Sequence, residues 1–475
     1  MSLRVLCTRL GSAPDDQTIE PSCGVMDVYD GSVHIRRVVV DCGCIPIHSG
    51  VPFGRRSWLL PDLAFFKDSR PIDAVCITHV HGDHSGALAL LIPYLSPTAR
   101  IWMTMPSYAS FQAYLEADLK SALKSERRGG RRETLGSAAE IVQVEPRIHP
   151  IAKPGEYEIL PGLRAYVHPE GHVRGACSFT FRVGGRNIHY AGDRCSHDQP
   201  GIKGGRPLPE AWRPHVIAAS DCTYGADLES DARSWDSEMR KGRELVREAV
   251  ARRAPVLCCA FGVHRGSAIV HGLQELGLSE LLLDGACRIH TKIAMSEQGS
   301  WSDSDTPLDI GNARFVMGEE RDGLAKDGEP RVVVSTPGMG GPGGAASAWK
   351  GELLPNPDAL VLFASGYLAK GSDGARIMAA VAERERTGVA PVLDFEGRDE
   401  RGPMVESLAV ACRVAQIRTG GHDSRADILR WFGQYKPETA VLCHGSSAAL
   451  ASVASELRGF IPNLVIGVRT LEIDI

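Results

Sequence analysis

The chain has 475 residues, of which 43% are hydrophobic, 23% are charged and only 6% are aromatic. This ordinary globular composition excludes a disordered or fibrous protein, and the length allows roughly two to four domains, or one large domain with an insertion. The net charge of −5 predicts no general attraction to nucleic acid, so any site for a polyanion has to be local.

Thirteen cysteines are scattered from Cys7 to Cys443, without the spaced pairs of a disulfide scaffold or a zinc ribbon. We therefore expect free thiols in a reducing, cytoplasmic compartment. Two close pairs of thiols, Cys42 with Cys44 and Cys258 with Cys259, are compatible with a metal site. Small buried thiols in strands explain them better. The longest apolar runs fall far short of the ~20 residues that span a bilayer, so we expect no association with membranes.

Short β-branched runs alternate with longer amphipathic stretches along the whole chain, which predicts a layered α/β fold. Strands are expected at residues 37–40, 74–78, 164–168, 187–191, 216–220, 256–260, 281–284, 332–335, 359–364, 392–395 and 440–443. Helices are expected at residues 85–94, 108–123, 236–252, 266–276 and 446–457. The Gly- and Pro-rich run 336–344 is interpreted as a functional loop.

One short turn between a predicted strand and a predicted helix carries four potential metal ligands: His79, His81, Asp83 and His84. Imidazole nitrogens and carboxylate oxygens suit Zn²⁺, and alternate residues of a tight loop can face two adjacent ions. Capping of the helix by Asp83 would explain one of these residues and leave the three histidines unexplained. The turn therefore predicts a metal site.

Further candidate ligands end or follow other predicted strands, namely His172, Asp193, Asp221 and His444. Loops at the carboxyl edge of a sheet are where such sites assemble, so we expect these side chains to meet the histidine turn. Asp193 is the natural bridging ligand, because one carboxylate can give an oxygen to each of two ions.

The motifs resemble those of the metallo-β-lactamase fold, and specifically of its β-CASP nucleases, the group of RNase J and the cleavage and polyadenylation endonuclease. The H-x-H-x-D-H segment 79–84 is complete, and Asp41 closes an early strand as the first family motif does. The remaining family motifs match His172, Asp193, Asp221, His422 and His444. The resemblance covers nearly the whole chain.

The resemblance implies an α/β fold in which an αββα metallo-β-lactamase sandwich carries an inserted α/β β-CASP domain. Residues 1–225 and 394–475 would form the sandwich, and residues 226–393 would form the insert. The insert would close over the metal edge and leave a groove for a single strand of nucleic acid.

The resemblance also implies two Zn²⁺ ions, although Mn²⁺ at one site is compatible with the same residues. The first ion would be held by His79, His81 and His172, the second by Asp83, His84 and His444, and Asp193 would bridge them. Asp41 would orient a histidine ligand by accepting its other N–H.

The implied reaction is hydrolysis of phosphodiester bonds by a water that loses its proton between the two ions. The implied catalytic residues are Asp83, Asp221 and His422. His422 would act as general acid toward the leaving oxygen, and Asp221 would hold its imidazole in the required tautomer.

The last family motif bears on the substrate, because RNA-processing members have a histidine there and DNA-processing members tend to have a valine. His444 therefore favours single-stranded RNA, cut endonucleolytically or from the 5′ end. Candidate substrate contacts are Arg265, Ser335, Gly338, Lys370 and Ser372. A basic cluster lies between two predicted helices and comprises Arg127, Arg128, Arg131 and Arg132. It either extends a surface that binds nucleic acid or is a solvated linker.

Two residues depart from the family pattern. Arg194 replaces the usual apolar or aromatic residue after the bridging Asp, and Asp423 follows His422 where the family has a small residue. A carboxylate at this position is expected to raise the pKa of His422 or to face solvent.

Three other functions stay open: a DNA nuclease of the same family, a small-molecule thioester or lactone hydrolase, and a non-catalytic RNA-processing subunit. The long insert and the set Asp221, His422 and His444 argue against the small-molecule hydrolase. Intact ligands at all seven positions weigh against a non-catalytic subunit, because a retired site has no need for buried charges. A homo-oligomer is also left open.

Overall fold

The chain folds around two large facing sheets and a third, separate sheet. A computed structural model describes residues 3–11, 19–48, 57–67, 69–127, 135–296, 301, 308–341, 344–399, 402–466 and 469–475. In this part of the chain the strands form two seven-stranded sheets, one six-stranded sheet and two small two-stranded sheets. The α/β class predicted from the sequence is confirmed.

The first seven-stranded sheet is antiparallel at one side and parallel at the other. Its strands in spatial order are Thr470–Asp474, Leu3–Arg9, Gly24–Asp30, Val33–Val40, Ile72–Cys76, Leu95–Thr104 and Ile148–Ile151. The second has the same mixed character. Its strands in spatial order are Asn463–Ile466, Thr439–Leu442, Val216–Ala219, Arg186–Tyr190, Cys177–Val183, Leu163–Pro169 and Gly155–Leu160.

The two sheets pack face to face through one apolar core, to which Met26 and Val38 contribute from the first sheet and Phe179 and Phe181 from the second. The helix Met105–Arg127 packs on the outer face of the first sheet through Phe111. The helices Arg425–Tyr435 and Ser447–Leu457 cover the outer face of the second. These four layers are the predicted αββα sandwich.

The third sheet is parallel throughout, as expected when helices cover both faces. Its strands in spatial order are Arg314–Phe315, Leu281–Asp284, Val332–Ser335, Val256–Ala260, Leu360–Ala364 and Arg413–Ile417. Its α-helices are Trp235–Ala251, Arg265–Leu273, Ala286–Ser296, Gly318–Lys326, Ala346–Leu353 and Asp373–Thr387. A hairpin of Val392–Asp399 and Gly402–Ala409 precedes its last strand.

The carboxyl end of the third unit lies later than the expected boundary between residues 393 and 394. The hairpin crosses that boundary, and the strand Arg413–Ile417 pairs in parallel with Leu360–Ala364. A division by sheets falls after Ile417. The chain enters and leaves this unit side by side, because Arg418 Nη1 lies 3.3 Å from Asp227 Oδ2.

The helix expected at residues 85–94 is broken in the structure into a short α-helix, Gly82–Ser85, and a 3₁₀-helix, Leu88–Tyr94. Pro93 lies inside the second piece and has no N–H to donate, which disfavours a continuous α-helix. Of the predicted basic cluster, Arg127 is exposed at the end of its helix, and Arg128, Arg131 and Arg132 lie outside the described residues.

Short elements complete the described part of the chain. They are the α-helix Ala138–Ile141, the 3₁₀-helices Leu63–Phe66, Glu145–Arg147, Glu210–Trp212, Leu228–Ala232 and Gln274–Leu276, and the paired segments Ile45–Pro46 and Trp58–Leu59. None of the helices in the described ranges combines the length and the apolar character needed to cross a bilayer.

Candidate metal centre

Loops that follow the parallel strands of the two facing sheets bring the candidate ligands together. The turn with His79 follows Ile72–Cys76 of the first sheet, whereas Asp193 follows Arg186–Tyr190 of the second. Gly192 makes the approach possible, because its φ is +61° and an added Cβ would lie 2.7 Å from Thr78 Cβ. The two sheets therefore meet at one edge, with Asp193 between them.

The first group of ligand atoms consists of three imidazole nitrogens around one carboxylate oxygen. His81 Nδ1 lies 3.2 Å from His79 Nε2 and 3.0 Å from His172 Nε2. Asp193 Oδ2 lies 3.6 Å from His79 Nε2 and 3.4 Å from His172 Nε2. His79, His172 and Asp193 are each at most 3% exposed, so the group is screened from water.

The second group lies on the other side of the same carboxylate. Asp193 Oδ1 is 3.1 Å from His84 Nε2 and 3.4 Å from His444 Nδ1. His444 Nε2 is 3.2 Å from His84 Nε2 and 3.6 Å from Asp83 Oδ2. In each group the candidate ligand atoms lie within 4.8 Å of one another, and the two groups are the sets that the family resemblance implies.

The ionisation of the histidines differs between the groups. Burial lowers the pKa of His79 and His172 well below the ordinary value, and lowers that of His81 to about 4. Burial also lowers the pKa of His84, but Asp193 and Asp41 outweigh it and raise the pKa to about 10. The first group is therefore neutral imidazole, the form that binds metals, and the second attracts positive charge to its carboxylates.

The two groups fit divalent cations. Asp193 Oδ1 and His81 Nε2 are buried and have no hydrogen-bond partner among the described residues. Imidazole nitrogens that face each other at 3.0 to 3.2 Å are favourable only when a proton or a cation lies between them. A His and carboxylate donor set of this kind suits zinc or a similar divalent ion.

Asp41 holds His84 in place from behind. Its carboxylate accepts hydrogen bonds from Thr78 N at 2.7 Å, Thr78 Oγ1 at 2.8 Å and His84 Nδ1 at 2.8 Å. The hydrogen bond of His84 Nδ1 to Asp41 orients the ring so that Nε2 faces Asp193. Asp41 has a φ of +63°, an unfavourable value for a residue with a Cβ, which places its side chain under the histidine turn.

His422 lies beside the metal centre and is held by Asp221. His422 Nδ1 donates to Asp221 Oδ2 at 2.8 Å, and Asp221 Oδ1 accepts from Thr223 Oγ1 at 2.7 Å. Burial lowers the pKa of His422, but Asp221 outweighs burial, and the pKa is raised above its ordinary value. His422 Nδ1 is 3.9 Å from Asp193 Oδ2, so the imidazole lies beside the shared ligand.

The two departures from the family pattern contact each other, which the sequence did not reveal. Asp423 is 2% exposed, pairs with Arg194 Nη1 and accepts from Ser196 N at 2.5 Å. Arg194 Nε also donates to Glu170 Oε2 at 2.9 Å. The expectation that Asp423 faces solvent is wrong, because its carboxylate is buried and paired with the guanidinium of Arg194.

The expected substrate contacts lie in the third unit and differ in their burial and in their hydrogen-bond partners. Arg265 is buried, donates to Gln199 Oε1 at 2.7 Å, and lies near the His422 loop. Ser335 is fully buried, and an added Cβ at Gly338 would lie 2.8 Å from Phe261 N. Ser372 caps the helix Asp373–Thr387, and Lys370 is exposed.

Sequence reasoning missed the side chains that orient the ligands. Thr78 and Thr223 bridge Asp41 and Asp221 to histidines of the centre, and Glu170 anchors Arg194. Thr78 and Thr223 each adjoin or closely follow a motif residue, which is the one signal that could have found them. Glu170 could have been found in the same way, because it lies two residues before the motif residue His172.

Comparison with known proteins agrees with this geometry. Residues 36–194 match the Metallo-beta-lactamase superfamily, and residues 407–465 match the Zn-dependent metallo-hydrolase RNA specificity domain. Residues 36–194 therefore form a metallo-β-lactamase domain. The enzyme class expected from the sequence, a metal-dependent hydrolase, agrees with both matches and with the two His and Asp groups.

Relatives of this metallo-β-lactamase protein are similar over most of its length. Transcription termination factor FttA of Thermococcus kodakarensis is 25% identical over 84% of the chain, and that of Methanothermobacter thermautotrophicus is 27% identical over 89%. An Integrator complex subunit 11 homolog of Dictyostelium discoideum is 21% identical over 93%. The chain spans 61%, 65% and 57% of these three proteins respectively. The predicted family, the β-CASP branch of the metallo-β-lactamase fold, is confirmed.

A solved structure shares the fold. It is the crystal structure of a protein of unknown function from Enterococcus faecalis V583, with a TM-score of 0.52, 13% identity and coverage of 99% of this chain and 100% of that chain. At this identity the similarity concerns the fold alone.

Proposed function

We propose that the protein is a zinc-dependent ribonuclease that hydrolyses phosphodiester bonds of single-stranded RNA. The observation that carries the proposal is Asp193, whose two oxygens face two separate ligand groups while His422 stands 3.9 Å away. This arrangement supports two cation sites that share one carboxylate, with an imidazole beside them.

The residues would divide the work as follows. His79, His81 and His172 would hold one ion, Asp83, His84 and His444 the other, and Asp193 both. Ions held there would activate a water molecule and neutralise the phosphoryl oxygens. His422 would give its proton to the leaving oxygen, with Asp221 fixing the imidazole so that Nε2 faces the substrate.

Two observations in the same segment favour RNA over DNA. His444 occupies the family position at which RNA-processing members have histidine, and residues 407–465 match an RNA specificity domain. Relatives named as a transcription termination factor and as an Integrator subunit point the same way. A reducing, cytoplasmic location is proposed from the free, buried cysteines.

The test is incubation of the purified protein with end-labelled single-stranded RNA and DNA of the same sequence, together with metal analysis. We expect about two divalent ions per chain and cleavage of RNA to 5′-phosphate and 3′-hydroxyl ends, because two ligand groups share Asp193. Chelation or His81→Ala should abolish cleavage, and His422→Gln should slow it by about 10²- to 10⁴-fold.

His271→Ala is the matched control, because His271 lies on a helix of the third unit and bonds to the carbonyl of Asp309. This variant should keep full activity. Cleavage of DNA alone would contradict the choice of substrate. Turnover of thioesters or lactones without nuclease activity would replace the proposal with a small-molecule hydrolase, and absence of bound metal would favour a non-catalytic subunit.

A further inference from the structure

A cleft opens beside His422 on the side away from the two ligand groups. Its cavity volume is about 60 Å³, and none of the seven candidate metal ligands lines it. We call it the acid cleft and define it by six of the residues that line it: Tyr224, Arg233, Trp235, Arg418, Thr419 and His422. The cleft lies between the sandwich and the third unit, where the chain passes from one to the other.

The walls of the acid cleft are aromatic and polar. Tyr224 packs against the ring of His422 with 5.7 Å between centroids. Trp235 begins the helix Trp235–Ala251 and is half-buried, and the guanidinium of Arg265 lies 5.6 Å from its ring centroid. The hydroxyl of Thr419 is buried and has no hydrogen-bond partner in the described part of the chain.

The charge of the cleft suits a phosphodiester chain. Arg233 and Arg418 line it and both pair with Asp227; the side chain of Arg418 is 43% exposed, so its guanidinium still reaches the cleft. The carboxylate that also lines it, Asp198, is already paired with Lys203 at 2.8 Å and Arg206 at 3.3 Å. Positive charge beside an aromatic ring is the combination that binds single-stranded nucleic acid.

The chemistry of the reaction fixes which nucleotide meets this cleft, and this step rests on the proposed function. Hydrolysis that leaves a 5′-phosphate forms a bond from the water oxygen to phosphorus and breaks the bond from phosphorus to the 3′-oxygen of the preceding nucleotide. The departing 3′-oxygen takes its proton from His422. The ribose of the preceding nucleotide therefore lies against His422, and its base lies in the space next to that side chain.

We propose that the acid cleft binds the nucleoside whose 3′-oxygen leaves, and that Trp235 is the surface on which its base stacks. Trp235 also packs against the core of the third sheet and has Arg265 near its ring, so the base stacks on the part of the indole that lines the cleft. Every base has a π-face, so this subsite accepts all four bases and aligns the leaving oxygen with His422 without selecting a sequence.

The experiment uses single-stranded RNA of uniform sequence with one abasic ribonucleotide at an internal position, labelled at either end. The full-length, metal-loaded protein cuts it, and the rate at each linkage is compared within the same molecule. We expect the cut directly 3′ of the abasic nucleotide to be slowed about tenfold relative to distant linkages, since the stacked base is missing.

Trp235→Ala should slow cleavage of intact RNA and remove the selective loss at the abasic position. Because each rate is a ratio within one substrate, reduced folding of this variant does not affect the result. Trp235→Phe should keep the selective loss. Phe460→Ala is the matched control, because Phe460 is an aromatic residue that is 39% exposed outside the cleft.

Two results would overturn the inference: equal cutting at the abasic and intact positions by the wild-type protein, or the same selective loss in Trp235→Ala. A complete lack of metal-dependent cleavage with every oligonucleotide would be a different failure. That result would refute the proposed ribonuclease activity and the acid cleft together.

Discussion

Asp41 shows how a residue outside the ligand sets controls the centre. Its carboxylate receives three hydrogen bonds, two from Thr78 and one from His84, and so fixes which nitrogen of His84 faces Asp193. Partners of this kind commonly change metal affinity about 10- to 100-fold when they are lost.

Asp41→Asn should therefore weaken one ion selectively. An amide nitrogen facing His84 Nδ1–H would break the bond that sets the tautomer, so the group of Asp83, His84 and His444 should lose about 10- to 100-fold in affinity. Equilibrium dialysis with Zn²⁺ measures this. Asp27→Asn is the control, because Asp27 is equally buried and pairs with Arg37. Two ions bound with unchanged affinity would contradict the role of Asp41.

Arg194 and Asp423 should be energetically coupled, because the two buried side chains carry opposite charges that neutralise each other. Breaking a buried ion pair at one partner typically costs about 3–5 kcal/mol. Arg194→Leu and Asp423→Ala should each lower the free energy of unfolding, and the double variant should lose less than the sum. Urea unfolding of the four proteins measures the coupling, and strict additivity would show that the pair does not act as a unit.

The candidate metal ligands could be predicted from the sequence, but the buried side chains that pack around them could not. His79, His172 and Asp193 stand out because histidine and aspartate at strand ends have few structural roles. Arg194 and Asp423 are separated by 229 residues, and no local pattern connects them. A pair of this kind is found only when the fold brings the two loops together.

At the scale of elements, the strand Arg413–Ile417 decides where the third unit ends. Ile417 is 0% exposed and belongs to the core of the third sheet. An added Cβ at Gly242 of the helix Trp235–Ala251 would lie 2.9 Å from Ile417 Cδ1, so the contact is tight. The strand is therefore an integral part of that sheet.

Ile417→Ala should cost about 2–5 kcal/mol of unfolding free energy, because it leaves a cavity in this core. Val392→Ala, at the expected boundary, should change stability by less than about 0.5 kcal/mol, since Val392 is 62% exposed. Hydrogen exchange locates the effect of Ile417→Ala, because the exchange rate of backbone amides should rise in Val256–Ala260 and Leu360–Ala364. Faster exchange confined to Arg186–Tyr190 would instead assign Ile417 to the sandwich.

Strands such as Leu3–Arg9 and Cys177–Val183 were missed, whereas those at Ile72–Cys76 and Val256–Ala260 were predictable because their β-branched runs are short and flanked by turn residues. The end of the insert was not, since the hairpin of Val392–Asp399 and Gly402–Ala409 resembles any other pair of strands in sequence. Which sheet a strand joins depends on partners that lie far away in the chain.

At the scale of the whole molecule, the close approach of Asp227 and Arg418 brings the two ends of the third unit together. A variant that joins Gly225 to Arg418 through a short Gly-Ser linker should keep a cooperatively folding sandwich. A variant lacking only residues 226–393 keeps the hairpin and the strand Arg413–Ile417 without partners and should aggregate through exposed strand edges. Circular dichroism melts and size-exclusion chromatography distinguish them, and equal behaviour would contradict a boundary after Ile417.

The spread of the ligands along the chain has a consequence for biosynthesis. His79 is translated 365 residues before His444, and both face Asp193 in the finished protein. Domains fold in the order in which they leave the ribosome, so the first ligand group can form early while the second waits for the last ligand. A nascent chain, or one cut short by a premature stop codon before His444, therefore carries an incomplete set of candidate ligands.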